Sequence, residues 1–227
     1  MKFGRNIVTD GLVFYIDASN PRCYTVGSTA CNNMFGQVPG SLINGTVFST
    51  DKSGTFEFDG TNDYINVSNV DTINGMITDS VSIEAFFNAD VVNSYDVIGG
   101  LQDTTSVRYS CAFNIGRRNG AIGFDLETTT GQTRILSDDS EVAIGNWYHI
   151  VGTHKPNTTT LYINGIQEKI SYYRTGNLVN FDGLVIGSDI TPGRYFNGQI
   201  ALFKVYNKLL SASEVLQNYN ALKSRFI

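Results

Sequence analysis

Residues 81–88 read Val81-Ser82-Ile83-Glu84-Ala85-Phe86-Phe87-Asn88, and their alternation decides the fold class. Val81, Ile83, Ala85 and Phe87 fall on one side of an extended chain, and Ser82, Glu84, Phe86 and Asn88 fall on the other. That is the period of a strand, not of a helix. Runs of the same kind recur about every ten residues. They are LVFYIDA from Leu12, TFEF from Thr55, YINV from Tyr64, WYHIVGTH from Trp147, LYI from Leu161, LVIG from Leu184 and QIALFKVY from Gln199. All are rich in β-branched and aromatic residues, which suit a pleated, half-buried surface. Between the runs, Asn-Gly pairs begin at Asn44, Asn74, Asn119, Asn164 and Asn197, and Asp-Gly pairs at Asp10, Asp59 and Asp182. These residues tolerate the positive φ that two-residue hairpin turns demand. In Leu161-Tyr162-Ile163-Asn164-Gly165-Ile166 such a pair is flanked by strand formers, which predicts a hairpin.

Ser211-Ala212-Ser213-Glu214 breaks the pattern, because it matches a capping box: a hydroxyl to bond first-turn amides and a carboxylate three residues on to bond back. Val215, Leu216, Tyr219 and Leu222 follow at helical spacing and predict one short helix packed on the strands. The expected fold is therefore all-β, an antiparallel two-sheet sandwich with a short C-terminal helix, in a single domain over residues 1–227. No internal repeat or Pro-rich linker divides the chain.

Composition agrees, since 227 residues with 41% hydrophobic content are enough for one sizeable core. The net charge is −5 and no basic run exceeds the pair Arg117-Arg118, so neither nucleic acid nor an anionic membrane surface is an expected partner. The N-terminal stretch lacks the apolar core of a signal peptide, and nowhere do about 18 apolar residues run together. That predicts synthesis in the cytoplasm without an export signal or a spanning helix. Cys23 and Cys31 flank a Gly-, Ser- and Thr-rich loop, which leaves a disulfide and two free thiols both open, while cytosolic synthesis favours thiols. Cys111, in the run YSCAFNI, is expected to be a buried small hydrophobe.

The opening NIVTDGLVFYIDASNP, the block FDGTNDYI from Phe58, GNWYHIVGTHK from Gly145 with the following LYINGI, and the closing FNGQIALFKVYNKLLSASEVLQNYNALKSRF together resemble the laminin-G-like branch of the concanavalin-A-like lectin/glucanase superfamily. The two ends look especially like versions found in virion structural proteins of tailed bacteriophages. The resemblance implies a jelly-roll sandwich and a non-enzymatic structural or decoration protein of the virion, contacting other virion proteins and copies of itself. The alternative it implies is a carbohydrate-binding module that adheres to host-surface glycans.

Glucanase members carry paired carboxylates as Glu-x-Asp-x-x-Glu on one strand, and no such run exists here. Glu84, alone in its strand, and Asp125 with Glu127 are expected on solvated polar faces. His149 and His154 lie five apart in one strand, hence on opposite faces, and cannot clasp one metal from it. Family members often hold calcium, which directs attention to Asp59, Asn62 and Asp63, although Asp59-Gly60 also makes a turn. Where relatives carry acidic residues in the penultimate strand, this chain has Ile200-Ala201-Leu202. A lectin-type fold needs an aromatic to stack on a pyranose and polar groups for its hydroxyls; Tyr172, Tyr173 and Arg174, with Arg194 and Tyr195, are the candidates. Trp147 is expected in the core. Phe226 and Ile227 are more apolar than a solvated terminus needs, so they are either an assembly interface or a fold-back onto the domain. A far-ultraviolet circular dichroism spectrum is expected to be β-dominated, and helix above roughly a third, the globular average, would rule the sandwich out.

Overall fold

A computed structural model describes residues 7–36, 39–67, 70–77, 79–93, 95–103, 108–117, 120–138, 142–172, 176–189 and 194–227. In chain order its strands are β1 (Leu12–Asp17), β2 (Ala30–Cys31), β3 (Gly40–Ile43), β4 (Val47–Ser49), β5 (Thr55–Asp59), β6 (Tyr64–Val67), β7 (Val81–Ala89) and β8 (Asp96–Asp103). They continue as β9 (Arg108–Arg117), β10 (Ala121–Thr128), β11 (Gly131–Leu136), β12 (Trp147–Lys155), β13 (Thr158–Ile163), β14 (Ile166–Ser171), β15 (Gly183–Ile186) and β16 (Asn197–Tyr206). A short helix α1 (Asp71–Met76) follows β6, and α2 (Ala212–Leu222) follows β16.

The strands form two antiparallel sheets. The first runs β14-β13-β12-β7-β16-β5-β4, with β1 also paired to β16; the second runs β11-β10-β9-β8-β15-β6-β3-β2. Among the described residues each contains eight strands. Alternate side chains meet between the sheets in one large core, to which β7 gives Val81, Ile83, Ala85 and Phe87. The expected sandwich with its C-terminal helix is present. The Asn164-Gly165 turn is as predicted, with positive φ at both residues (51° and 81°), and it joins β13 to β14. Asn74-Gly75 instead lies inside α1, and Asn197-Gly198 opens β16, where Gly198 is required because a Cβ would come within 2.2 Å of the Asn88 carbonyl.

The outer face of the first sheet departs from the alternation expected of a half-solvated strand. Phe86, Trp147, Val151, Tyr162, Leu202 and Tyr206 form a second apolar cluster with Val215, Leu222 and Phe226. The helix that covers this face has the predicted cap: Ser211 Oγ accepts from the Glu214 amide, and the Glu214 side chain accepts from the Ser211 amide at 2.8 Å. Its buried stripe is Val215, Asn218 and Leu222, whereas Leu216 points to solvent at 44% exposure. Asn218 holds an apolar position because Glu84 lies beneath it.

Glu84 is therefore not on a solvated face; it is fully buried. Lys204 Nζ donates to it at 2.8 Å, Asn218 Nδ2 at 2.6 Å and, in the Nε2–H tautomer, His149 at 3.2 Å. The Tyr206 hydroxyl lies 3.3 Å from both Glu84 and the Val8 carbonyl, and the Val8 amide donates to Asn218 Oδ1 at 2.7 Å. Burial alone opposes ionisation of Glu84, but the Lys204 charge and the His149 and Lys204 hydrogen bonds outweigh it and hold the carboxyl at about 2. Burial also pushes His149 below its ordinary 6.5, against the pull of Glu84. As expected, His154 is on the other face, where Nδ1 meets Thr159 Oγ1 at 2.8 Å. Asp125 and Glu127 are likewise buried rather than solvated.

Cys23, Cys31 and Cys111 are free, fully buried thiols. Desolvation pushes Cys23 to about 11 and Cys31 to about 12, which keeps both as unreactive thiols at neutral pH. Phe226 is buried and stacks on Phe86 at 4.5 Å and on Trp147 at 4.7 Å, so the apolar terminus folds back onto its own domain. Ile227 remains 73% exposed.

Three outcomes follow. Phe226→Ala, or truncation after Lys223, is expected to cost about 3 kcal/mol and to lower the melting temperature by on the order of 10 °C in scanning calorimetry, whereas removal of Ile227 alone leaves it unchanged. The unfolded chain takes up protons at His149 and Glu84 before the folded chain does, so stability falls as pH drops below 6.5, and again between 4.5 and about 2. Glu84→Gln leaves the Lys204 ammonium buried without its counter-charge and is expected to cost about 3–5 kcal/mol at neutral pH. Its stability should then decline less steeply below pH 4.5 than that of the unchanged protein, as read by pH-dependent denaturant titrations.

Candidate functional site

Register across the first sheet lines up four side chains from four neighbouring strands. Trp147 of β12 is opposite Asn88 of β7, Asn88 is opposite Gln199 of β16, and Gln199 is opposite Glu57 of β5. Directly opposed residues share a face, so these form one row on the outer side of the sheet. Helix α2 covers the rows below, and the chain ends its fold-back at Phe226, which leaves this row open. A groove of about 620 Å³ results, lined by Asp51, Lys52, Asn88, Gly145, Asn146, Trp147, Tyr148, Asn164, Gln199, Phe226 and Ile227.

Four carboxamides thus converge on one groove, each oriented by a specific contact or left open to the groove. Asn88 Nδ2 donates to the Gly145 carbonyl at 3.0 Å, while its Oδ1 is buried and accepts no hydrogen bond. Asn164 Oδ1 accepts from the His149 amide at 3.0 Å, which fixes the side chain at the turn. Gln199 Nε2 donates to Glu57 at 3.1 Å and to Asp51 at 3.4 Å. Lys52 Nζ donates to the Phe226 carbonyl at 3.0 Å and so ties the far wall to the C-terminal tail. The indole edge of Trp147, with Phe226 and Ile227, supplies the apolar side. Trp147 is buried as expected, and its edge still reaches the groove.

The residues singled out from sequence lie elsewhere. Tyr173 and Arg174 fall outside the described residues. Tyr172 is 70% exposed just beyond β14. Arg194 donates to Asp189 at 3.0 Å and lies 4.5 Å over the ring of Tyr95, whose hydroxyl donates to Asp125 at 3.1 Å; Arg134 Nε completes the chain at 2.8 Å from Asp125. Tyr195 is half-buried and bridges by its backbone to Val97. The structure thus puts Arg194 in a network of ion pairs against the outer face of the second sheet. Asn88, Asn146, Asn164 and Gln199 were not distinguishable as a set in the sequence, because what unites them is cross-strand register.

The calcium candidates Asp59 and Asp63 are engaged by backbone amides. Both Asp63 oxygens accept backbone amides, from Gly45 at 2.7 Å and from Asp59 at 3.1 Å, and Asp59 Oδ1 accepts from Thr61 at 2.7 Å. The trio builds a turn. Among the described residues no group of three or more His, Cys, Asp or Glu side chains is arranged to hold a metal ion. Nor, among those residues, is any helix long and apolar enough to cross a membrane.

Two antiparallel sheets packed face to face, with a polar groove cut into one outer face, define a jelly-roll of the concanavalin A type. The chain belongs to the concanavalin A-like lectin/glucanases superfamily, whose laminin-G-type family model matches residues 59–216. No curated protein matches the sequence. Among solved structures the chain is similar to the binding domain of Paraclostridial Mosquitocidal Protein 1, with a TM-score of 0.72 and 17% identity over 93% of this chain and 52% of that one. It is also similar to Trypanosoma rangeli sialidase in complex with sialic acid (0.71, 12% identity, 96% of this chain and 34% of that one). A third is a botulinum neurotoxin type C structure, whose cell entry is described as dependent on two ganglioside molecules (0.70, 12% identity, 93% and 51%). The chain spans between about a third and a half of the length of these structures, and likeness at this identity concerns the fold.

Proposed function

We propose that this domain is a carbohydrate-recognition module without catalytic activity, and that glycan binds in the groove across Trp147, Asn88 and Gln199. The observation that carries the reading is the convergence of four carboxamides on one open groove beside an apolar wall. Carboxamides offer a donor and an acceptor side by side, which suits vicinal hydroxyls, while apolar edges suit the C–H face of a pyranose. The sialidase in complex with sialic acid and the neurotoxin whose cell entry depends on gangliosides support a carbohydrate ligand for a fold of this kind.

Among the described residues catalysis lacks a suitable pair of carboxylates. Glu84 is sealed beneath α2 with Lys204, and Asp125 is held by Arg134. Asp51 and Glu57 approach each other through Gln199, whose Nε2 donates to both. The setting we propose for the module is the one expected from the resemblance of the two chain ends, a virion or fibre on which it adheres to host glycans; mass spectrometry of purified particles tests that placement.

Binding is expected on a glycan array and by calorimetry, with no turnover of polysaccharide. Asn88→Ala and Gln199→Ala should each weaken binding about tenfold, the effect of one lost hydrogen bond, while a Glu168→Gln change on β14 leaves it intact. Melting temperatures measured alongside separate loss of binding from loss of fold. Glycan binding unaffected by either groove substitution would overturn the assignment.

A further inference from the structure

We infer that Arg225 is a positioning residue for the groove: it clamps the turn Asp51–Gly54 in a conformation that sets Asp51 and Lys52 into the glycan-binding surface. The inference rests on the carbohydrate reading of that groove. The turn joins β4 to β5 and carries Asp51 and Lys52 of the lining. Its backbone is unusual. Lys52 (φ 49°, ψ 37°) and Ser53 (φ 69°) are consecutive left-handed residues, neither of them glycine, and Gly54 follows at φ 134°. A Cβ disfavours that region, and residues held in it persist where their surroundings over-determine them. Gly54 is itself wedged in place, since a Cβ there would come within 2.8 Å of the Ser19 backbone.

Arg225 supplies those surroundings. Nε donates to the Lys52 carbonyl at 2.6 Å and Nη2 to the Gly54 carbonyl, so one planar fork spans the left-handed segment. Nη1 donates to Asp17 at 2.7 Å, which anchors the fork to β1, and the pair is largely buried, with side chains 13% and 10% exposed. The guanidinium also lies 4.9 Å from the centroid of the Phe226 ring, part of the apolar wall. Arg225 is not itself among the residues that line the groove, so it acts through the turn. The turn presents a cation and an anion in set places. Lys52 Nζ gives one N–H to the Phe226 carbonyl and keeps its charge and two further donors for a ligand oxygen, while the Asp51 carboxylate accepts from Gln199 at 3.4 Å. A charge-assisted hydrogen bond is stronger than a neutral one, but ordering a long side chain on binding offsets part of the gain. Fixing the Lys52 backbone in advance reduces that loss.

The test compares the unchanged protein with Arg225→Gln, Asp17→Asn and the double variant Arg225→Gln/Ser53→Gly, each held below its melting temperature. Two quantities are read: acrylamide quenching of Trp147, the sole tryptophan, whose ring lies 4.7 Å from that of Phe226, and calorimetric affinity for the glycan bound most tightly on the array. Arg225→Gln is expected to raise quenching and to weaken binding about tenfold. Glycine adopts the left-handed conformation without the steric penalty at Ser53, so the double variant should recover most of both. Asp17→Asn removes the ion pair and leaves both carbonyls bonded; it should lower the melting temperature while quenching and affinity stay as they are. Unchanged affinity in Arg225→Gln, no recovery with Ser53→Gly, or an equal loss of binding in Asp17→Asn would overturn the positioning role and leave the groove as the glycan site. Failure of every glycan to bind the unchanged protein would overturn the carbohydrate reading and this role with it.

Discussion

The buried carboxylate of Glu84 is the constraint on which the outer architecture depends. An ionised side chain without solvent is tolerable only when its charge and lone pairs are met. Here the partners come from three separate elements: Lys204 and Tyr206 from β16, His149 from β12, and Asn218 from α2. Asn218 in turn accepts the Val8 amide, so the segment before β1 is fixed by the same cluster. Docking the helix anywhere else would leave a charge pair dry and partly unmatched. An apolar face alone would allow the helix to slide; the polar centre specifies its position.

That position also decides where the groove is. Helix α2 covers the sheet from the Glu84 row outward to Phe226, and the tail is held there by stacking on Phe86 and Trp147 and by the Lys52 contact with its carbonyl. One row further along the strands the cover stops. Trp147, Asn88 and Gln199 are left between the tail and the Gly145-Asn146 loop, polar enough to hold a ligand and too sheltered to be fully hydrated. The structural network and the candidate binding site are consecutive rows of one sheet, so the first positions the second.

Much of the fold was legible in the sequence because its signals are local. Strand alternation in residues 81–88, the Asn164-Gly165 turn and the Ser211-Glu214 capping box each involve residues within a few positions of one another, and each is present as read. Readings failed where tertiary context changes what a local pattern means. A lone Glu in a strand normally faces water; Glu84 does not, because a helix more than a hundred residues later covers it, as the 134-residue separation from Asn218 shows. Asn74-Gly75 resembles a hairpin turn and sits in a helix.

The sequence by itself determined the period of the strands, the turns and the capped helix, since these follow from backbone preferences and short spacings. Only the tertiary structure decided the groove. Asn88, Trp147 and Gln199 become neighbours through the pairing of β7 with β12 and β16, and opposition across a sheet depends on register between strands far apart in the chain. A shift of one residue would turn those amides to the other face, and no local feature of the sequence records which register is taken.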